Sequence, residues 1–170
     1  MGEKLSDGLH LIKYPQSKSD KEYVIEDNTW WIGECAFKNA KNLETIQIPK
    51  SINSISRSAF MNCTSLSEIN YPANVSYVPY RGFYGCCALT KIQLTSVRNI
   101  YDEAFTGCTQ LKELHLNCED AYLMTVASNA FDDNIFTECN LYVPSGSRWS
   151  YRHHPIWGKF KNIIIENKEE

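Results

Sequence analysis

Seven cysteines, four histidines and twenty carboxylates are the side chains in this 170-residue sequence best suited to chemistry. A zinc site would need cysteine and histidine at short paired spacings. Cys86-Cys87 and His153-His154 are vicinal pairs, yet no C-x-x-C accompanies them, so no metal is expected. A Cys or Ser nucleophile needs a base within hydrogen-bond reach. His115 lies between Leu114 and Leu116 and reads as pointing away from the core, beside Glu113. The equivalent places one repeat earlier hold Lys91 and Gln93, so the set contains no nucleophile. Paired acids for glycoside hydrolysis sit about 5–10 Å apart across a groove. Glu68 and Glu113 share a column two repeats apart, about 9.6 Å by strand spacing. Lys91 stands between them, and an ion-pair ladder accounts for all three. No Walker, G-x-G-x-x-G or G-x-S-x-G motif is present. The chain is expected to be no enzyme, with no catalytic residues and no cofactor.

What places these residues is a repeat. Ala36-Phe37, Ala59-Phe60, Gly82-Phe83, Ala104-Phe105 and Ala130-Phe131 recur at steps of 23, 23, 22 and 26 residues. A period of this size marks a solenoid, each repeat one coil stacked on the last. Aligned on Phe, the pattern is A-F-x-x-C-x-x-L-x-x-I-x-I-P-x-x-V-x-x-I. In I-x-I the apolar residues alternate, so one face of a short strand points inward. Strands are expected at 23–25, 46–48, 69–71, 92–94, 114–116 and 141–143. Proline after the strand removes a backbone donor and ends it. V-x-x-I reads as a second extended piece on the opposite wall, and A-F-x-x-C-x-x-L, with spacing near three to four, as a short helical turn. Cys63, Cys86 and Cys108 fall in one column and read as free packing thiols, whereas Cys35, Cys87, Cys118 and Cys139 lie off it and leave room for one disulfide.

The ends depart from the repeat, as the exposed ends of a stack must. The expected organisation is one domain: an N-terminal cap over 1–22, a solenoid of about five coils over 23–144, and a C-terminal cap over 145–170. Leu11, Ile12 and Tyr14 are placed to cover the first coil, and Trp149, Tyr151, Trp157, Phe160, Ile163 and Ile165 to close the other end. A helical turn is expected near 147–153 and a last strand near 162–165, and the three extra residues of the fourth interval read as a loop within 117–122.

A solenoid shifts the functional expectation from catalysis to surface recognition. Outward strand positions form two polar rows, among them Glu68 and Lys91 in one and Gln93 and His115 in the other. Binding and plain solubility both explain such rows. A second candidate surface is aromatic. Trp31 and Tyr77 share an outward column, with Tyr80, Arg81, Tyr84 and Tyr101 close by in the coil map. Tyr, Trp and Arg dominate binding hot spots, although the same rings could pack the wall.

The net charge of −3 gives no electrostatic footprint for nucleic acid. No stretch approaches the roughly 20 apolar residues of a membrane span. No basic segment followed by a long apolar run opens the chain, which reads either as cytosolic or as starting after a removed leader.

The segments AFMNCTSLSEINYP (59–72) and AFTGCTQLKELHLN (104–117), with the ending LYVPSGSRWSYRHHPIWGKFKNI (141–163), resemble the BspA-like branch of bacterial leucine-rich-repeat proteins. The resemblance covers about residues 11–165. It departs from the common leucine-rich repeat in having Pro where that repeat carries Asn, and in Ala40 and Thr95 within its own pattern. It implies a right-handed, β-rich, leucine-rich-repeat-like solenoid with short helical turns. It further implies a secreted or cell-surface protein that binds an extracellular protein or a glycan, with no catalytic residues to carry over. A structural spacer with no specific ligand is the alternative, and an enzyme the weakest reading.

Overall fold

The computed structural model describes residues 3–5, 8–11, 13–15 and 19–166. Each of the first five coils contributes a strand to a first wall, a short strand to a second wall, and a corner that returns the chain, and two further strands extend the first wall. The first wall consists of β3 (Glu22–Val24), β5 (Thr45–Gln47), β7 (Glu68–Ile69), β9 (Lys91–Leu94), β11 (Glu113–Leu116), β13 (Asn140–Pro144) and β14 (Asn162–Glu166). The second consists of β4 (Thr29–Ile32), β6 (Ser54–Ile55), β8 (Tyr77–Val78), β10 (Asn99–Ile100) and β12 (Thr125–Val126). Pairing along both walls is parallel and joins equivalent residues, for example Glu113 with Lys91 and Leu114 with Ile92. At the N-terminal end β1 (Glu3–Leu5) pairs antiparallel with β2 (Gly8–Leu11), and β2 pairs with β4.

The recurring phenylalanines form one ring column. Phe37, Phe60, Phe83, Phe105 and Phe131 follow one another at centroid distances of 5.4, 5.2, 5.5 and 5.3 Å, all stacked. Tyr14 stacks on the first ring at 5.5 Å, and Trp157 and Phe160 meet the last at 5.7 and 5.8 Å. Tyr14 therefore covers the first coil as expected. Leu11 belongs to β2, and Ile12 lies outside the described residues. The cysteine column also holds. The Sγ atoms of Cys63, Cys86 and Cys108 donate to the carbonyls of Phe37, Phe60 and Phe83 at 3.0–3.1 Å. All seven cysteines are free, so the disulfide left open by the sequence does not form.

The corner is not a helical turn in the first four coils; only in the fifth does the expected helix form, as α1 (Asp133–Glu138) directly after Phe131. In the first four, the corner amides alternate between two targets. Met61 and Cys63 donate three residues back, to Ser58 and Phe60, whereas Ser58, Phe60 and Asn62 donate to Tyr80, Gly82 and Tyr84 of the next coil. This third ladder requires left-handed residues on either side of each Phe. Cys35, Ser58, Arg81 and Glu103 have φ of 52–55° two residues before it, and Asn39, Asn62, Gly85 and Gly107 have φ of 58–79° two residues after it. A continuous right-handed helix would turn every amide onto its own coil. Spacing near three to four is common to helices and to such linked turns, which is why the pattern misled.

Both wall ladders are interrupted around the coil of residues 68–89. On the first wall β7 does not pair with β9, and on the second β6 does not pair with β8. Proline accounts for the second break. Ser56, Tyr101 and Ala127 donate to Ile32, Val78 and Ile100 of the preceding coil, and the equivalent residue facing Ile55 is Pro79, which has no N–H. On the first wall the Asn70 side-chain amide bonds N–H and C=O of Ile48 at 3.0 and 2.9 Å, extending the β5–β7 pairing on the side away from the break.

The last turn differs from expectation in one residue. Tyr151, Trp157 and Phe160 are fully buried, but Trp149, on α2 (Arg148–His153), is 67% exposed and stacks on His153 at 4.5 Å. Helical phase explains this: Trp149 and Tyr151 are two residues apart and so face opposite sides. The inserted loop carries a short 3-10 turn at Ala121–Leu123, capped by the Asp120 carboxylate accepting from the Tyr122 amide.

Candidate binding surfaces

The two breaks in the walls open two concavities. On the second wall, Tyr77, Pro79, Tyr80, Tyr101, Ile55 and Arg57 contribute to a shallow hollow of about 490 Å³. On the first wall, Glu68, Asn70, Tyr71, Lys91, Gln93 and Thr95 surround a cleft of about 200 Å³ between β7 and β9, with polar side chains at its rim and an apolar floor of Ile69 and Ile92. The candidates named from sequence thus divide into two groups, one on each wall.

The hollow is assembled from four columns of the repeat, of which the one five before Phe supplies its buried floor residue Ile55. The column six residues before Phe supplies Tyr77, whose hydroxyl lies 3.0 Å from Ser54 Oγ and whose ring meets Tyr101 edge-on at 6.2 Å. The column four before Phe supplies Ser56, Pro79 and Tyr101, and the column three before it Glu34, Arg57 and Tyr80. Tyr80 and Tyr101 are 37% and 48% exposed, so each presents part of its ring to solvent. Arg81, held left-handed at the corner, places its guanidinium 5.0 Å from the Tyr80 ring centroid and 5.3 Å from that of Tyr84. The same guanidinium forms a two-pronged pair with Glu103, Nε to Oε2 at 3.0 Å and Nη2 to Oε1 at 3.2 Å. Such a fork fixes the plane of the group. Trp31 and Tyr84 flank the hollow. Trp31 Nε1 donates to Ser56 Oγ at 2.8 Å and its ring meets His10 edge-on at 5.0 Å.

Glu34, Arg57, Ser54, Ser56 and Pro79 were not singled out from the sequence, although the columns that hold Tyr77, Tyr80 and Tyr101 contain them. Glu34 and Arg57 neutralise each other at 2.9 Å.

On the first wall, Lys91 Nζ sits 3.1 Å from Glu113, which is half of the expected ladder; among the described residues no ion pair joins Lys91 to Glu68, whose strand does not pair with β9. His115 departs from expectation. Its row does face outward, but the residue is only 8% exposed because the Tyr142 ring stacks flat on the imidazole at 4.2 Å. Its ring nitrogens contact two carboxylates, Nδ1 to Glu166 at 2.7 Å and Nε2 to Glu113 at 3.1 Å. Glu166 lies 51 residues away and reaches the site because β14 joins the sheet beyond β13. His115 is therefore enclosed by neighbours and is no surface contact residue. Hydrogen bonds from His115 and then Lys91 hold the Glu113 carboxyl below its ordinary value.

Among the described residues no cluster of three or more His, Cys, Asp or Glu could hold a metal ion, and no helix is long and apolar enough to cross a membrane.

Parallel walls, a stacked ring column and a repeating corner define a leucine-rich-repeat-like solenoid. The chain belongs to the BspA type leucine rich repeat family: that repeat region matches residues 23–145 in six copies, where the Ala-Phe spacing counts about five coils. Similar solved structures are a leucine rich cell surface protein from Faecalibacterium prausnitzii A2-165 and the pneumococcal vaccine antigen PcpA. The first has 26% identity and a TM-score of 0.70, covering 97% of this chain and 37% of that one. The second has 19% identity and a TM-score of 0.68, covering 95% and 45%. A leucine-rich repeat protein from Bacteroides ovatus ATCC 8483 has 19% identity and a TM-score of 0.58, covering 99% of this chain and 50% of that one. The chain thus spans less than half the length of the first two. No curated protein matches it.

Proposed function

We propose that this chain is a non-enzymatic recognition module of a cell-surface or secreted protein, and that it takes a protein or glycan partner on the second-wall hollow. The observation that carries this reading is the pair of exposed tyrosines, Tyr80 and Tyr101, lining a concavity of about 490 Å³. The first-wall cleft around Glu68, Lys91 and Gln93 is a smaller, secondary contact zone. The similarity to a cell surface protein of Faecalibacterium prausnitzii supports the surface assignment. The reading keeps a right-handed winding, which parallel crossover connections favour strongly, and a solenoid over 23–144 flanked by caps over 1–22 and 145–170.

The test is capture on arrays of matrix proteins and glycans, comparing the parent chain with Tyr80→Ser/Tyr101→Ser. Loss of capture with an unchanged circular dichroism spectrum is expected. Unchanged capture removes the hollow from consideration. The spacer reading draws on the internal pairing of the surface charges Lys91–Glu113, Lys112–Glu138 and Lys21–Glu44. Arrays that return no ligand at all would favour it.

A further inference from the structure

Resting on that recognition reading, we infer that the occupant of the Tyr80–Tyr101 hollow is a neutral saccharide, a short run of sugar rings presenting one apolar face to the tyrosines. Three features of the hollow converge on this chemistry.

The first is charge. Each arginine at the hollow is already matched: Arg57 with Glu34 at 2.9 Å, and Arg81 with Glu103 at 2.9 Å. A sulfated or carboxylated ligand would have to compete with a carboxylate that is already seated. A cationic ligand would have to compete with the guanidinium. A neutral ligand faces neither competition.

The second is the supply of hydroxyls. Tyr77 and Ser54 share one hydrogen bond of 3.0 Å in which either oxygen can be the donor. The Tyr80 and Tyr101 hydroxyls form no hydrogen bond within the described residues. Hydroxyls both donate and accept, which matches a ligand whose own polar groups are hydroxyls. The rings beneath them carry electron-rich faces that attract the edges of C–H bonds, and one face of a sugar ring is a set of such bonds. Arg81 occupies a face of Tyr80 at 5.0 Å and fixes that ring without filling the hollow.

The third is what the hollow lacks. An extended peptide adds to a sheet through a row of free main-chain donors and acceptors. Here Pro79 has no N–H and Ile55, with 0% exposure, hides its carbonyl, so the break between β6 and β8 offers no ladder to join.

The test is saturation-transfer NMR on the whole chain. The neutral probes are cellotriose, mannotriose, N,N′-diacetylchitobiose and N-acetyllactosamine, and the contrasting probes are a heparin hexasaccharide and a proline-rich decapeptide. At least one neutral probe should receive saturation on its ring C–H protons. Its affinity should fall at least tenfold in Tyr80→Ala and in Tyr101→Ala and stay unchanged in Tyr122→Ala, a tyrosine exposed elsewhere. Tyr80→Phe, which keeps the ring and removes the hydroxyl, should retain part of the affinity and guards against loss of fold. The inference is overturned if no neutral probe binds, if binding ignores both tyrosines, or if only the heparin hexasaccharide binds. Tyrosine-dependent binding of the decapeptide alone would also overturn it, yet would leave the recognition reading standing. Capture of no protein or glycan on the arrays described above would instead remove the recognition reading itself.

Discussion

Gly85 is the position where the third ladder can be tested most sharply. Its φ is +72°, and a Cβ there would lie 2.4 Å from Asn62 Oδ1 of the preceding coil. Gly85→Ala has two separable effects. A left-handed L-residue costs about 1–2 kcal/mol, offset by about 0.4–1 kcal/mol from the reduced freedom of the unfolded chain. The added methyl also displaces the Asn62 amide, whose Nδ2 donates to Asn39 Oδ1 at 3.1 Å. Losing that bond costs about 0.5–1.5 kcal/mol. The sum spans about 0.5–3 kcal/mol, centred at about 2, read from urea unfolding followed by circular dichroism and tryptophan fluorescence. In an Asn62→Gly background, which tolerates the φ of 58° at that residue, the same substitution should cost only about 0.5–1 kcal/mol, the backbone part alone. Gly107→Ala is the control. Its Cβ would meet the Gly85 Cα at 3.1 Å, backbone that cannot swing aside, so Asn62→Gly should not relieve it. Equal cost of Gly85→Ala in both backgrounds, or a cost under about 0.5 kcal/mol in the parent, would refute the reasoning.

Other consequences are open to measurement. Phe83→Ala empties a fully buried place between two stacked rings and should cost about 3–5 kcal/mol; a loss under about 1 kcal/mol would mean the column is not the core. Burial pushes the Cys139 thiol up to about 12 and the Cys108 thiol higher still. At pH 8 Cys139 is then thiolate about one part in ten thousand, so brief iodoacetamide treatment should label half-buried Cys35 and Cys87 and spare the five buried thiols by mass spectrometry. Because the Glu113 carboxyl titrates below its ordinary 4.5 when folded, its stabilising contribution is complete above that pH and fades as pH falls through the folded value. The stability gap between Glu113→Gln and the parent should therefore be largest near neutrality, shrink below about pH 4.5 and shrink with added salt. A gap that widens on acidification would overturn that assignment.

The repeat was readable because it records burial directly. Phe and the small residue before it have one role in all five coils, and the Cys three after it recurs in three of them, so like residues meet like. The corner was less readable, since apolar spacing reports which residues point inward and not where the amides between them go. The left-handed Asn39, Asn62, Gly85 and Gly107 column was the available clue, because Asn and Gly are the residues that adopt that region most readily. His115 could not be placed from its own strand. What encloses it is Tyr142 from the next coil and Glu166 from the chain's last strand, a long-range meeting that no local pattern announces. The hollow was half visible: its tyrosines stood out by type, whereas Pro79 was missed because its effect lies in a bond that its neighbours make and it cannot.

Bonding from each corner to the one above it has a further consequence. The coils meet through one ring column and one set of corner amides that run on across the breaks in the walls, so a duplicated or deleted unit of 22–23 residues rejoins the stack in register. Length can then change in whole coils without redesigning the interior, and lineages can drift in size while any single coil, such as that of residues 68–89, stays free to specialise.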